Sequence, residues 1–317
     1  MAIVLALASA ITYGGSDFAA GLASRSADVI RVTLIASTAG LAVVLVALPL
    51  AAPRPPGTAA LAWGAVAGLS GTVGALALYL GFRHAAFSVA GPLSAVGAAG
   101  FSVLAGLLLG ERPTALALTG IVLALPAIVG VSASAASAAS AASPGQASEP
   151  ETSTGQMPAA ADPGVPIRPA PGVTALGRPA AGVAAGLIAG AGFALLFIGL
   201  NRAGSGSGLW PVVVAQVAEQ IVICGAAAVT GNFRLPGARS GWLAAITGVT
   251  GAVGTILYFF ATHDGFLAVT AVLTSLYPAI TIVLARSLLG ERLTTLRLAG
   301  LALAAACVAL IAIGGAG

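Results

Sequence analysis

Charge is scarce in this 317-residue sequence: only 7% of its residues are Asp, Glu, Lys or Arg, against about 25% in a soluble domain. A water-facing surface cannot be made from so little, which excludes a soluble globular protein. Lysine is absent, all 13 basic residues being arginines, and most of these stand at the ends of apolar stretches. That placement suits lipid headgroups and lacks the clustered basic face that nucleic acid requires. Cysteine is nearly absent too. Cys224 and Cys307 lie in separate apolar stretches with no partner at ligand spacing, so neither a disulfide framework nor a metal site is implied.

Hydrophobic residues make up 58% of the chain, and the mean hydropathy is +1.05. A hydrocarbon core about 30 Å thick takes roughly 20 apolar residues per helix. The sequence divides into ten stretches of that kind, at residues 2–24, 29–50, 59–81, 86–109 and 114–131, then 180–200, 209–230, 241–262, 266–289 and 294–314. Residues 132–178 between the two sets are Ala/Ser repeats followed by a Pro-rich stretch. Nothing there is apolar enough to bury, and the segment reads as a disordered linker. Residues 1–10 end in Ala8-Ser9-Ala10, which resembles a signal-peptide cleavage site. They lack a charged n-region, and their loss would leave the first half one helix short, so they are expected to be retained.

The two sets are copies. Leu108-Leu109-Gly110-Glu111-Arg112 recurs as Leu288-Leu289-Gly290-Glu291-Arg292, an offset of 180. Gly68, Gly71 and Gly74 recur as Gly248, Gly251 and Gly254 at that offset, and Trp63, Tyr79 and His84 as Trp242, Tyr258 and His263 at 179. Residues 1–131 and 179–317 are therefore repeats of five helices each. Five is odd, so the second repeat enters the membrane in the opposite sense. The expected fold is an all-α polytopic membrane protein of ten transmembrane helices in two inverted five-helix repeats. Inverted halves can exchange inward-open and outward-open arrangements around a midplane site, the behaviour of a transporter. A non-transporting scaffold or sensor is the competing class, and it leaves the inverted duplication unexplained. Glycines at four-residue spacing, Gly64/Gly68 and Gly182/Gly186 among them, allow close helix contact.

Two halves that each close on an apolar helix, a Leu-Gly-Glu-Arg turn and a final helix resemble the EamA repeat of the drug/metabolite transporter superfamily. Tyr277-Pro278, the stretch Tyr13-Gly14-Gly15-Ser16-Asp17-Phe18, and Arg31 at the start of helix 2 belong to the same resemblance. It implies a multi-pass protein of the cell membrane that moves, with export the expected direction, a small organic metabolite or amphipathic compound. H+ is a candidate coupling ion, no cofactor is expected, and the protein would be a monomer or homodimer. The glycine-rich loop at residues 204–208 has no Lys and no Walker spacing, so a gradient rather than ATP would supply the energy. Ala98 stands where the second half has Pro278, and Pro92 comes earlier, so helix 4 should bend differently from helix 9.

An ionisable side chain deep in a span is costly and marks function by default. Glu219 falls near the centre of helix 7, with Gln216 and Gln220 on overlapping faces. The three form a polar stripe that could bind a cationic or amphipathic group or take up a proton; the alternative is glue between helices. Asp17 lies about 6 Å past the midpoint of helix 1 at 1.5 Å per residue, and Arg31 is placed to pair with it across a hairpin. Pro278 removes a backbone hydrogen bond in mid-helix 9, where Tyr277, Thr274, Ser275 and Thr281 would offer polar groups. Tyr13 and Ser94 lie at comparable depth. Gly110 and Gly290 should end their helices, with Glu111 and Glu291 as structural caps beside the helix that follows.

Gly68-Leu69-Ser70-Gly71 also matches the GxSG signature of an intramembrane serine protease. The equivalent stretch is Gly248-Val249-Thr250-Gly251, so the glycines belong to the repeat, and neither His84 nor His263 is at the depth to activate Ser70. No catalytic residue is expected. Orientation stays open. The resemblance implies cytoplasmic termini, but that leaves only Arg54, Arg112 and Arg202 on the cytoplasmic side, and the positive-inside rule favours the reverse.

Overall fold

The computed structural model describes residues 1–24, 27–51, 55–84, 87–141, 178–233, 237–289 and 295–314. Among them the chain is helical, without strands. The first half holds α1 (Ala2–Ser24), α2 (Val29–Ala47), α3 (Thr58–His84), α4 (Phe87–Leu108) and α5 (Ala115–Ala141). The second holds α6 (Arg178–Arg202), α7 (Trp210–Thr230), α8 (Ala238–Asp264), α9 (Leu267–Thr274), α10 (Tyr277–Leu289) and α11 (Thr295–Gly314). Seven helical segments, one of them α9 and α10 taken together, are long and apolar enough to cross a membrane. Three shorter apolar helices, Leu93–Leu108, Ala115–Val129 and Leu298–Gly314, accompany them. Large apolar side chains such as Leu104, Val122, Ile188, Ile221 and Ile313 stand exposed on the outside of the bundle, as lipid contact requires.

Local chemistry sets the helix ends. The Asp28 carboxylate accepts from the Ile30 N–H at 3.0 Å and starts α2, an N-cap. At the first Leu-Gly-Glu-Arg phrase, Gly110 takes φ +90°, its N–H bonds the Leu107 carbonyl, and the Glu111 N–H reaches back to Gly106 at 3.0 Å. This is the glycine stop expected for α4. Gly290 and Glu291, its second copy, lie outside the described residues.

α3 runs three residues further than expected, to His84, and α8 begins three earlier, at Ala238; three other departures from the sequence expectation have a local cause. α2 ends at Ala47 and tightens into a 3-10 turn over Leu48–Ala51, because Pro49 has no N–H to continue the helical ladder. α5 runs ten residues past its expected end at Val131, to Ala141. Alanine is the best helix former, and the preceding turns already supply the nucleus. Residues 142–177 of the expected linker lie outside the described residues. Helix 9 is two helices, broken at Ser275 and Leu276.

The packing has a pseudo-twofold relation. α1 packs on α8 as α6 packs on α3; α2 packs on α8 as α7 packs on α3; α1 meets α9 and α10 as α6 meets α4. α2 with α7, α4 with α9, and α5 with α11 pair across the axis. The halves are thus interlocked rather than side by side, and both large buried clusters draw residues from each. Backbone approach makes this possible. A Cβ on Gly68 of α3 would strike the Ala215 carbonyl of α7, and one on Gly248 of α8 would strike the Ala36 carbonyl of α2. These are repeat-equivalent contacts, since Gly68 and Gly248 differ by 180 and Ala36 and Ala215 by 179.

Gly68→Val and Gly248→Val should each destabilise the fold by about 1–3 kcal/mol through overpacking, seen as lower melting midpoints in detergent. Gly225 of α7 has open space around its Cα, and Gly225→Ala should leave the midpoint unchanged or raise it.

Candidate functional site

α1 carries the polar seam of the molecule. Its Ser9 hydroxyl donates to the Gly254 carbonyl of α8 at 2.8 Å, and Ser16 donates to that of Thr247 at 2.9 Å. Between them the Tyr13 hydroxyl pairs with Thr255 Oγ1 at 2.8 Å. On the other side of α1, Thr281 of α10 donates to the Gly14 carbonyl at 3.1 Å, and Thr274 of α9 reaches that of Ala6 at 3.5 Å. A Cβ on Gly14 would meet the Tyr277 carbonyl at 2.7 Å and the Ile280 Cβ at 2.6 Å. Only glycine lets α10 begin so close to α1.

The Tyr13 hydroxyl also lies within electrostatic reach of Asp17 and Glu219, so three of the expected site residues converge. Asp17 is exposed, one turn along α1 from Tyr13. Glu219 is half-buried and is hydrogen-bonded to the side chain of Gln216. Gln216 itself is buried; a Cβ on Gly40 would come within 3.0 Å of its amide nitrogen and 3.2 Å of the Gly248 carbonyl. It holds Glu219 in place.

The other expected residues fall elsewhere. Gln220 turns away from the stripe: its amide donates to Cys224 Sγ at 3.3 Å, and its carbonyl oxygen meets Thr38 Oγ1 of α2 at 3.5 Å. Successive helical residues point about 100° apart, which separates it from Glu219. Arg31 does not pair with Asp17; its Nε and Nη2 donate to Asn232 Oδ1 at 3.2 and 3.1 Å. α2 packs on α7 and α8, so Arg31 faces the end of α7. Ser94 is fully buried, with no partner for its hydroxyl. Tyr277 opens α10 directly after the break, and Pro278 offers no N–H to the Thr274 carbonyl.

Glu111 is a cap, but of a different helix from the one expected. Its two carboxylate oxygens accept the Leu267 N–H at 2.5 Å and the Ala268 N–H at 2.9 Å, sealing the start of α9 in the other half. The helix that follows it, α5, is capped by Thr114, whose hydroxyl oxygen accepts from the Ala117 N–H at 3.2 Å. Ser70, from the GxSG match, donates to its own helix at Ala67, and His263 Nδ1 bonds the Phe259 carbonyl at 2.7 Å.

Thr255, Ser9, Ser16 and Thr247 escaped the sequence reading. A signal was present: aligned at the repeat offset, Thr255 stands against Ala75, Tyr13 against Phe193, Asp17 against Phe197, and Glu219 against Gly40.

The model of the EamA-like transporter family matches twice, over residues 1–133 and 180–313. The chain belongs to the EamA-like transporter family. It is accordingly a multi-pass integral membrane protein of the drug/metabolite transporter superfamily. No curated protein matches it. Fourteen solved chains do; one, a crystal structure described only as that of a protein, is 15% identical and has a TM-score of 0.69, covering 96% of this chain and 98% of its own. That likeness is one of fold. The two intervals matched by the EamA-like model meet the interlocked halves described above, and Glu111 joins one to the other.

Glu111→Ala should cost about 1–2 kcal/mol, as loss of a helix cap does, and Glu111→Gln less. Gly106→Ala should reproduce the loss, since a Cβ there would collide with the Glu111 carboxylate. Melting midpoints of the purified variants check all three.

Proposed function

We propose that this chain is a secondary-active transporter that carries, in the export direction, a small organic metabolite or amphipathic compound across the cell membrane by alternating access. A gradient drives it, with H+ the coupling ion we favour. The observation that carries this reading is the polar seam between interlocked halves, where Tyr13, bonded to Thr255, lies within electrostatic reach of Asp17 and Glu219 next to a broken helix. Ionisable groups at that depth need a compensating role, and a site between inverted repeats is reached alternately from the two sides.

Two packed groups of helices face each other across this site. α1, α2, α8 and α10 form one, and α3, α4, α6 and α7 the other. Tyr13, Asp17 and Thr255 belong to the first, Glu219 and Gln216 to the second. A substrate held between Asp17 and Glu219 would therefore touch both groups, and Glu219 would exchange substrate for a proton. Tyr277, at the start of α10, completes the polar side. The five-helix repeats of residues 1–131 and 179–317, joined by residues 132–178, supply the scaffold. The protein acts as a monomer or homodimer, and this mechanism needs no cofactor.

The test is a comparison of exported metabolites between cells overexpressing the protein and cells lacking it, repeated with Glu219→Gln. At least one compound should leave the overexpressing cells faster, with export reduced tenfold or more in the variant and its dependence on external pH flattened. An export profile identical in all strains would instead favour a scaffold or sensor. Normal export with an unchanged pH profile in Glu219→Gln would remove the proton from the mechanism.

A further inference from the structure

The site is built on two repeat-equivalent aromatic seats that have been made chemically different. Tyr13 on α1 and Phe193 on α6 differ by 180. Each packs, partly buried, against the same central cluster, and each ring lies over a repeat-equivalent glycine. A Cβ on Gly254 would meet the Tyr13 ring at 3.1 Å, and one on Gly74 would meet the Phe193 ring at 3.3 Å. The backbone frame is thus the same at both seats. The chemistry is not. Tyr13 ends in a hydroxyl bonded to Thr255, whereas Phe193 ends in carbon and the position equivalent to Thr255 is Ala75. The division extends outward: Asp17 has Phe197 as its counterpart, Ser16 has Leu196, and Glu219 has Gly40. Across these pairs the polar member lies in α1, α7 or α8 of the Tyr13 seat, and the seat of Phe193 is hydrocarbon.

A repeat that keeps its frame and loses its polarity on one side discriminates between the two ends of a ligand. We infer that the transported compound is an amphipathic molecule bound in one fixed orientation, with Tyr13 and Phe193 as the residues that determine specificity. Its hydrogen-bond-donating end, an amine or a hydroxyl, lies at the Tyr13 seat, where Asp17, Glu219 and the Tyr13 oxygen accept. Its apolar body lies at the Phe193 seat. The inference rests on the transport reading given above and names the substrate class for it. A ligand polar at both ends leaves a donor unpaired against Phe193, and one apolar at both ends leaves the Tyr13 seat unpaired; each is rejected for want of a partner.

Binding rather than transport tests it, so that a failure here is separable from a failure of the export experiment. The full chain in lipid nanodiscs is titrated with 2-phenylethylamine, 2-phenylethanol, ethylbenzene and methylamine, read by tryptophan fluorescence and by ligand-dependent melting. The expected result is saturable binding of the amine or the alcohol, with ethylbenzene and methylamine about tenfold weaker; which of the first two binds better assigns the donor. Tyr13→Phe keeps the ring and should weaken the donor-bearing probe about tenfold without changing ethylbenzene. Should that variant fold poorly, Thr255→Val removes the same hydrogen bond and should act in the same direction. Phe193→Tyr should reverse the preference between 2-phenylethylamine and its para-hydroxyl analogue, favouring the latter. Saturable binding of none of the probes, equal affinity for all, or equal loss for every probe in Tyr13→Phe would overturn the inference.

Discussion

The closest constraint in this molecule is backbone lying on backbone at two helix crossings, Gly68 over the Ala215 carbonyl and Gly248 over that of Ala36. Inside a bilayer, burial of apolar surface gives little drive for helices to associate, so van der Waals contact at short range must do it. That is why a chain with 43 glycines is not a floppy one. The glycines are needed where a third helix of one half crosses a second helix of the other, and the repeat supplies each crossing twice. Once those crossings form, α1 is laid against α8 and α6 against α3, and the first helix of each half becomes an internal element of the opposite half.

Duplication of the frame left the chemistry free to differ. Positions that set backbone distance stay small in both copies, while Tyr13, Asp17, Thr255 and Glu219 have apolar or glycine counterparts. Gly40 and Glu219 show how directly the two requirements trade places. They are repeat-equivalent at an offset of 179, yet one is the glycine against which the Gln216 amide packs and the other is the carboxylate that Gln216 holds. A carboxylate at both positions would put two acids against one amide. The asymmetry lets a single buried glutamine orient a single acid.

Much of the fold was legible because membrane solvation leaves few options. The apolar stretches, the repeat offset, the glycine stop at Gly110 and the disturbance at Pro278 each follow from local rules, and α1 begins and ends where the sequence placed it. The misplaced features share a cause. Glu111, Arg31 and Gln220 were assigned to neighbours along the chain, and each bonds across it or along another face: to α9, to Asn232, and to Thr38 with Cys224. Sequence spacing tells what a side chain can reach on its own helix or the next, but interlocking decides which helix comes next in space. The extension of α5 had a local cause, the helix propensity of an alanine-rich run. Tyr13, Asp17 and Glu219 stand out in the sequence as ionisable residues at depth, whereas Thr255, the partner of the Tyr13 hydroxyl, does not. A threonine in a membrane helix ordinarily bonds its own preceding turn, and only the comparison of Thr255 with Ala75 marks it out.

The same interlocking decides what can move. If the mobile bodies were the sequence halves, α9 would travel with the second half. Its first N–H groups are capped by Glu111 of the first half, and its Thr274 and the Thr281 of α10 are bonded to carbonyls of α1. Motion between halves would break those bonds together with both glycine crossings. A division between the α1–α2–α8–α10 group and the α3–α4–α6–α7 group keeps the polar seam of α1 intact and cuts the crossings Gly68 and Gly248 not at all, since each joins two helices of one group. It does cut the contacts of α9 with α4, of α2 with α7 and of α6 with α8, and with them the Glu111 cap and the bonds of Asn201 to Thr262 and of Tyr258 to the Phe197 carbonyl. The first two are the self-paired contacts on the pseudo-twofold axis, where a small rotation displaces atoms least. Asp17 on α1 and Glu219 on α7 then belong to different groups of helices.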